Sequence, residues 1–131
     1  MACGARRGVR RVLVVLTAAL LACGPHRGGP AARAEAPADV TLQVTNHNFL
    51  DVTVFVVHDG ARLRVGLVTG SSTQSFTLPG RMVALSHELA LVGEPVGSRA
   101  VARTETLLVQ PGQRIEWTLE SDLRRSSVGV Y

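Results

Sequence analysis

The chain has 131 residues, with 14 basic side chains against 10 acidic ones, a formal net charge of +4 and 46% hydrophobic residues. Every basic residue is an arginine, so a phosphate-loop lysine and a Schiff-base lysine are both excluded. Both cysteines, Cys3 and Cys23, precede residue 24. The rest of the chain therefore has no disulfide, no thiol nucleophile and no thiolate for a blue-copper site.

Arg6, Arg7, Arg10 and Arg11 form a positive segment, followed by the uncharged run Val12 to Leu21 and the small residue Ala22. This is the layout of a secretory signal, whose apolar core spans about 7–15 residues. A membrane-crossing helix needs about 20 apolar residues, and no stretch of the sequence reaches that length. Leu20-Leu21-Ala22-Cys23 resembles the lipobox of bacterial lipoproteins. The resemblance covers residues 1–23. It implies a signal peptide over residues 1–22 and a mature chain that begins at Cys23, with a diacylglycerol (palmitate-type) thioether on that residue. Two or three acyl chains hold a protein to a bilayer durably where one does not. By the same resemblance, Gly24 rather than aspartate after the cysteine implies the outer membrane, facing the periplasm or the surface. Loss of the leader removes four arginines, and ten then face ten acids. That balance excludes the basic footprint of a nucleic-acid-binding protein.

Residues 23–39 hold the lipidated cysteine and a Gly-, Pro- and Ala-rich stretch with scattered charge and no apolar period. This composition reads as a flexible tether, and His26 within it as a solvated side chain. Residues 40–131 suffice for one small domain.

In that domain the apolar period falls to two. Val40–Asn46 reads as a strand, and Asp51–His58 as a nearly continuous apolar strand buried in a sheet. Asp59-Gly60 is a two-residue hairpin signal, because both turn positions take positive φ. The return strand Ala61–Val68 alternates, with Leu63, Val65 and Leu67 expected on one face and Arg62 and Arg64 on the other. A loop at Gly70-Ser71-Ser72 precedes a strand over Thr73–Leu78 with Phe76 and Leu78 inward, and Pro79-Gly80 turns the chain. Val83–Val92 alternates as a strand, with Val83, Leu85, His87, Leu89 and Leu91 on one side. Gly93–Ser98 reads as a loop and Val101–Val109 as a strand. Gln110-Pro111-Gly112-Gln113 suits a type II turn, and Arg114–Leu119 closes the pattern with Ile115, Trp117 and Leu119 inward. About seven strands at spacings near ten residues predict an all-β, antiparallel sandwich of immunoglobulin-like or transthyretin-like architecture, with a small barrel as the alternative.

Candidate chemistry is sparse. His87-Glu88 starts like the zinc motif H-E-x-x-H, but Leu91 stands at the second histidine position and the segment reads as a strand. His47, Asp51, His58 and Asp59 are the other imidazole–carboxylate collection. A hairpin that brought His47 near His58 would suit zinc or copper, although Asn46-His47-Asn48 and Asp59 also read as turn chemistry. Glu105, Glu116 and Glu120 read as solvated acids. Arg62 and Arg64 form a possible partner face that Arg81 or Arg114 would extend into a basic stripe. No cofactor is expected. These residues lead to a lipid-anchored envelope protein, held to the membrane through Cys23. Its domain is expected to be a non-catalytic binding or structural module that meets an envelope protein or glycan, by strand addition at a sheet edge for example. The alternative is a small-ligand or metal-binding periplasmic domain centred on His47 and His58.

Overall fold

A computed structural model describes residues 34–131. The signal segment, Cys23, His26 and the tether up to residue 33 lie outside the described residues. In chain order the strands are β1 (Val40–Asn46), β2 (Val52–His58), β3 (Ala61–Val68), β4 (Ser72–Leu78), β5 (Glu88–Pro95), β6 (Ala102–Arg103), β7 (Leu107–Leu108), β8 (Arg114–Leu119) and β9 (Ser127–Val130). They form a four-stranded sheet in the order β4-β1-β8-β9 and a five-stranded sheet in the order β3-β2-β5-β6, with β7 also paired to β5. Every pairing is antiparallel except β1 with β8. The sheets pack as a sandwich and do not close into a barrel.

Period-two patterning explains the core. On β1, Val40, Leu42 and Val44 are buried while Thr41, Gln43 and Thr45 face out, and Val52, Val54 and Val56 repeat the pattern on β2. Ile115, Trp117 and Leu119 face inward from β8, as their spacing predicts. The Trp117 indole reaches across to Gly93 on β5. A Cβ at Gly93 would lie 3.1 Å from Trp117 Cη2 and 3.1 Å from Val52 Cγ1. The glycine therefore gives the largest core side chain its room, and an interior packed to crystal-like density has little slack there. The Asp59-Gly60 hairpin forms as expected, with φ of 48° and 74°. Gln110–Gln113 also turns as expected, with Gly112 at φ 85° and the Gln113 N–H donating to the Gln110 carbonyl at 3.2 Å.

Four local expectations change. A β-bulge in the β2–β3 pair sets Val54 opposite Gly66 but Phe55 opposite Arg64. The extra residue, Val65, reverses the alternation, so Leu63 lies opposite inward Val56 while Leu67 lies opposite outward Thr53. Leu63, Val65 and Leu67 thus do not share a face. The segment Val83–Val92 is not one strand, because His87 takes a positive φ of 55° and β5 begins only at Glu88. Leu85 is 95% exposed instead of inward, and β5 runs on through Gly93–Pro95, where a loop was expected. Val101–Val109 pairs only at its two ends, as β6 and β7. Between them Thr104 Oγ accepts the Leu91 N–H at 2.9 Å, a side chain taking a ladder partner from the backbone. Finally, β9 pairs with β8 at Ile115–Val130 and Trp117–Val128, a strand whose short, glycine-containing sequence carries little signal.

Candidate functional site

Val40 follows the chain's arrival at one end of the sandwich. There Ala38 O accepts the Gly112 N–H at 3.1 Å and Asp39 Oδ1 accepts the Gly80 N–H at 2.9 Å. The loop 47–51, which joins β1 to β2, lies at the other end, one strand away. A strand of this size spans about 20 Å.

That loop is built around two buried asparagines. Asn46 has no exposed surface. Its Nδ2 donates to Leu50 O at 2.9 Å and shares its hydrogens with Val68 O and Thr69 O, each at 3.3 Å. Its Oδ1 accepts the Asn48 N–H at 3.0 Å. Asn48 in turn accepts the Leu50 N–H at Oδ1, 2.9 Å, and donates from Nδ2 to Ser121 O at 3.0 Å. Asp51 Oδ1 accepts the Gly70 N–H at 2.9 Å, and the Ser71 N–H donates to Asn48 O at 2.9 Å. Short asparagine and aspartate side chains can bond to backbone two residues on and so take the place of strand pairing in a turn. No buried side-chain N or O among the described residues lacks a partner.

The product of this bonding is one outward side chain. Phe49, between the two asparagines' bonds to Leu50, is 81% exposed. Its carbonyl and that of Asn48 pass so close to Gly70 that a Cβ there would overlap the Phe49 backbone, and this close approach keeps the 70–71 turn against the loop. Val96 lies at the same end, 56% exposed, with its N–H on Asp51 O at 2.8 Å. A rigid loop that offers an aromatic and an aliphatic side chain to solvent has the form of an interface anchor. Asn46-His47-Asn48 is turn chemistry by its residue types, and nothing in that signal alone marks the outward Phe49. The available signal was an aromatic inside an Asn-x-Asn-x-x-Asp frame.

The expected metal candidates do not come together. His47 follows β1 and lies 3.4 Å from Glu120 Oε2, while His58 ends β2 at the opposite end of the sandwich. Asp51 stays near His47, and Asp59 goes with His58. Among the described residues no group of three histidines, cysteines or carboxylates is arranged to hold a metal ion. His87 is exposed on its turn, at a positive φ just before β5.

His58 instead lines a cleft of about 270 Å³ with Asp59, Glu88, Leu89 and Thr106. Its Nδ1 lies 2.9 Å from Glu88 O and 3.5 Å from Ser86 Oγ, and its Nε2 lies 3.1 Å from Asp59 Oδ2. Serine, histidine and aspartate are thus adjacent, but the order of bonds is wrong for a nucleophile. A carbonyl only accepts, so Nδ1 must carry a proton to bond Glu88 O, and it then has no lone pair with which to deprotonate Ser86. The cluster works as a clamp that ties the β2–β3 hairpin to the start of β5.

Arg62 and Arg64 share the outward face of β3, opposite Val57 and Phe55. The Arg62 guanidinium stacks 3.7 Å from the Phe55 ring centroid and pairs with Glu94 at 2.7 Å. Arg114 is on the other sheet, paired with Glu116 at 3.0 Å. Arg81 is on the helical turn Gly80–Met82. The basic stripe therefore does not form: its members are split between two sheets and a turn, and two of them are paired with acids. Near residue 122, the side-chain hydrogen bond from Arg124, followed by its backbone N–H, holds the Asp122 carboxyl below the ordinary carboxylate range.

No family model matches this sequence, and no curated protein matches it. Among solved structures the chain is similar to the NMR structure of a protein from Eubacterium rectale, with 17% identity and a TM-score of 0.44 over 77% of this chain and 92% of that one.

Proposed function

We propose that this chain is a lipid-anchored cell-envelope protein, held to the membrane through Cys23, whose sandwich domain is a non-catalytic binding module. In this reading Phe49, with Val96 at the same end of the sandwich, is the contact offered to an envelope partner. The carrying observation is the contrast within one loop, in which buried, fully bonded Asn46 and Asn48 hold an almost wholly exposed phenylalanine. An exposed aromatic on a mobile loop would lose conformational entropy on binding. On a loop already fixed by its own hydrogen bonds, most of that cost has been met in folding. The position also fits the address: the chain reaches the domain at the far end of β1, so the Phe49 end is the end of the domain away from the point where the tether joins it.

The experiment compares wild type with Phe49→Ala and Cys23→Ser in the native host. The reading expects wild type to fractionate with membranes and to copurify with a defined envelope protein or glycan. Phe49→Ala should keep the membrane fraction and lose the partner, whereas Cys23→Ser should lose the membrane fraction. If Phe49→Ala retains the same partner in the same amount, Phe49 is not the contact.

A further inference from the structure

The end of the sandwich where the chain arrives carries its own outward apolar residues. Leu85, at the tip of the 83–87 turn, is 95% exposed, and Leu108 on β7 is 71% exposed. Leu108 is the register partner of Glu88, and the Val109 N–H bonds His87 O at 2.7 Å, so the two leucines sit on neighbouring segments. Buried residues back the tip on both sides: Val83 and Val109 have no exposed surface and Leu89 is 2% exposed. Gly80, which begins the helical turn before Val83, is the residue whose N–H is held by Asp39. The leucine tip and the point of chain arrival are therefore parts of one bonded corner.

We infer that Leu85 and Leu108 rest in the membrane interface, so that the domain stands on the bilayer on this end. The inference rests on the lipid anchor at Cys23. Fourteen residues lie between Cys23 and Ala38, the first of the described residues bonded into the domain, so the chain reaches at most about 50 Å. Such a link turns a weak contact into an intramolecular one at high effective concentration. Two leucines are too few to recruit a free domain, yet they suffice to orient one that is already attached. The charge at this end is net acidic, Asp39, Asp59 and Glu88 against Arg81, so apolar insertion and not attraction to anionic headgroups sets the contact. The same end also presents His87, and Arg114 already paired with Glu116.

Mature lipidated protein in phosphatidylcholine vesicles provides the test. It has no free thiol apart from an introduced one, so Leu85→Cys and Phe49→Cys each take a single NBD dye. Lipids with doxyl groups near the headgroup are expected to quench the dye at position 85 at least threefold more than at position 49. Adding Leu108→Asp should reduce quenching at 85, and replacing part of the phosphatidylcholine by an anionic lipid should not raise it. The emission of buried Trp117 reports that each variant is folded. Equal weak quenching at both positions in vesicle-bound protein overturns the inference and leaves the anchor standing. Quenching that vanishes when the protein is diluted to one copy per vesicle also overturns it, in favour of contact with a second copy. Protein that does not sediment with vesicles at all overturns both the anchor and the contact built on it.

Discussion

Asn46 has no exposed surface and Phe49, three residues later, is 81% exposed, and the first causes the second. The Asn46 amide serves the carbonyls of Leu50, Val68 and Thr69 and accepts the Asn48 N–H. Those bonds leave the intervening backbone a single path, on which the side chain at 49 points outward.

This relationship separates stability from binding. Asn46→Ala strands several buried polar groups and should cost about 2–4 kcal/mol, since each orphaned group costs roughly 1–3 kcal/mol. Phe49→Ala removes a side chain that is 81% exposed and should stay within about 0.5 kcal/mol of wild type. Urea unfolding followed by Trp117 fluorescence measures both. A large loss in Phe49→Ala would mean that the ring supports the fold.

The contact between Trp117 and Gly93 gives the second expectation. Gly93→Ala places a methyl 3.1 Å from Trp117 Cη2 and 3.1 Å from Val52 Cγ1, an overpacking that should cost about 1–3 kcal/mol. Trp117→Ala should cost about 3–5 kcal/mol through the cavity it leaves. Thermal unfolding followed by circular dichroism at the strand band reads both. In the double variant the Gly93→Ala penalty should shrink, because the ring it meets has gone.

Asp122 predicts a pH dependence. Its folded carboxyl titrates below the unfolded value, chiefly through the Arg124 side-chain bond. The stability it contributes is therefore present above the ordinary carboxylate range and is lost as pH falls through the lowered pKa. Asp122→Asn should unfold at a slightly lower temperature than wild type at neutral pH, and the two melting curves should converge in acid. A gap that widens as pH falls would contradict this sign.

Much of the sandwich was legible because its strands obey simple rules. Valine, leucine and threonine alternate on β1, β2 and β8, and Asp59-Gly60 and Pro111-Gly112 mark turns whose geometry needs them. The failures have local causes. The bulge at Val54 and Phe55 depends on pairing between strands, which no single segment records. Val83, Leu85 and His87 keep the period of a strand, yet His87 turns left-handed and ends it. Thr104 breaks the run 101–109 by bonding Leu91, a tertiary event. Of the site, the asparagines were visible as turn formers. The exposure of Phe49 was not, because it follows from what Asn46 reaches across 22 residues to Val68.

Site-specific photo-crosslinking in the native envelope tests the central claim most directly. A benzoyl-phenylalanine at position 49 is compared with one at position 75, on the outward face of β4. The account predicts a discrete adduct from position 49 that is absent from position 75 and is lost when Cys23→Ser removes the anchor. No adduct at 49, or the same adducts at 49 and 75, would contradict it.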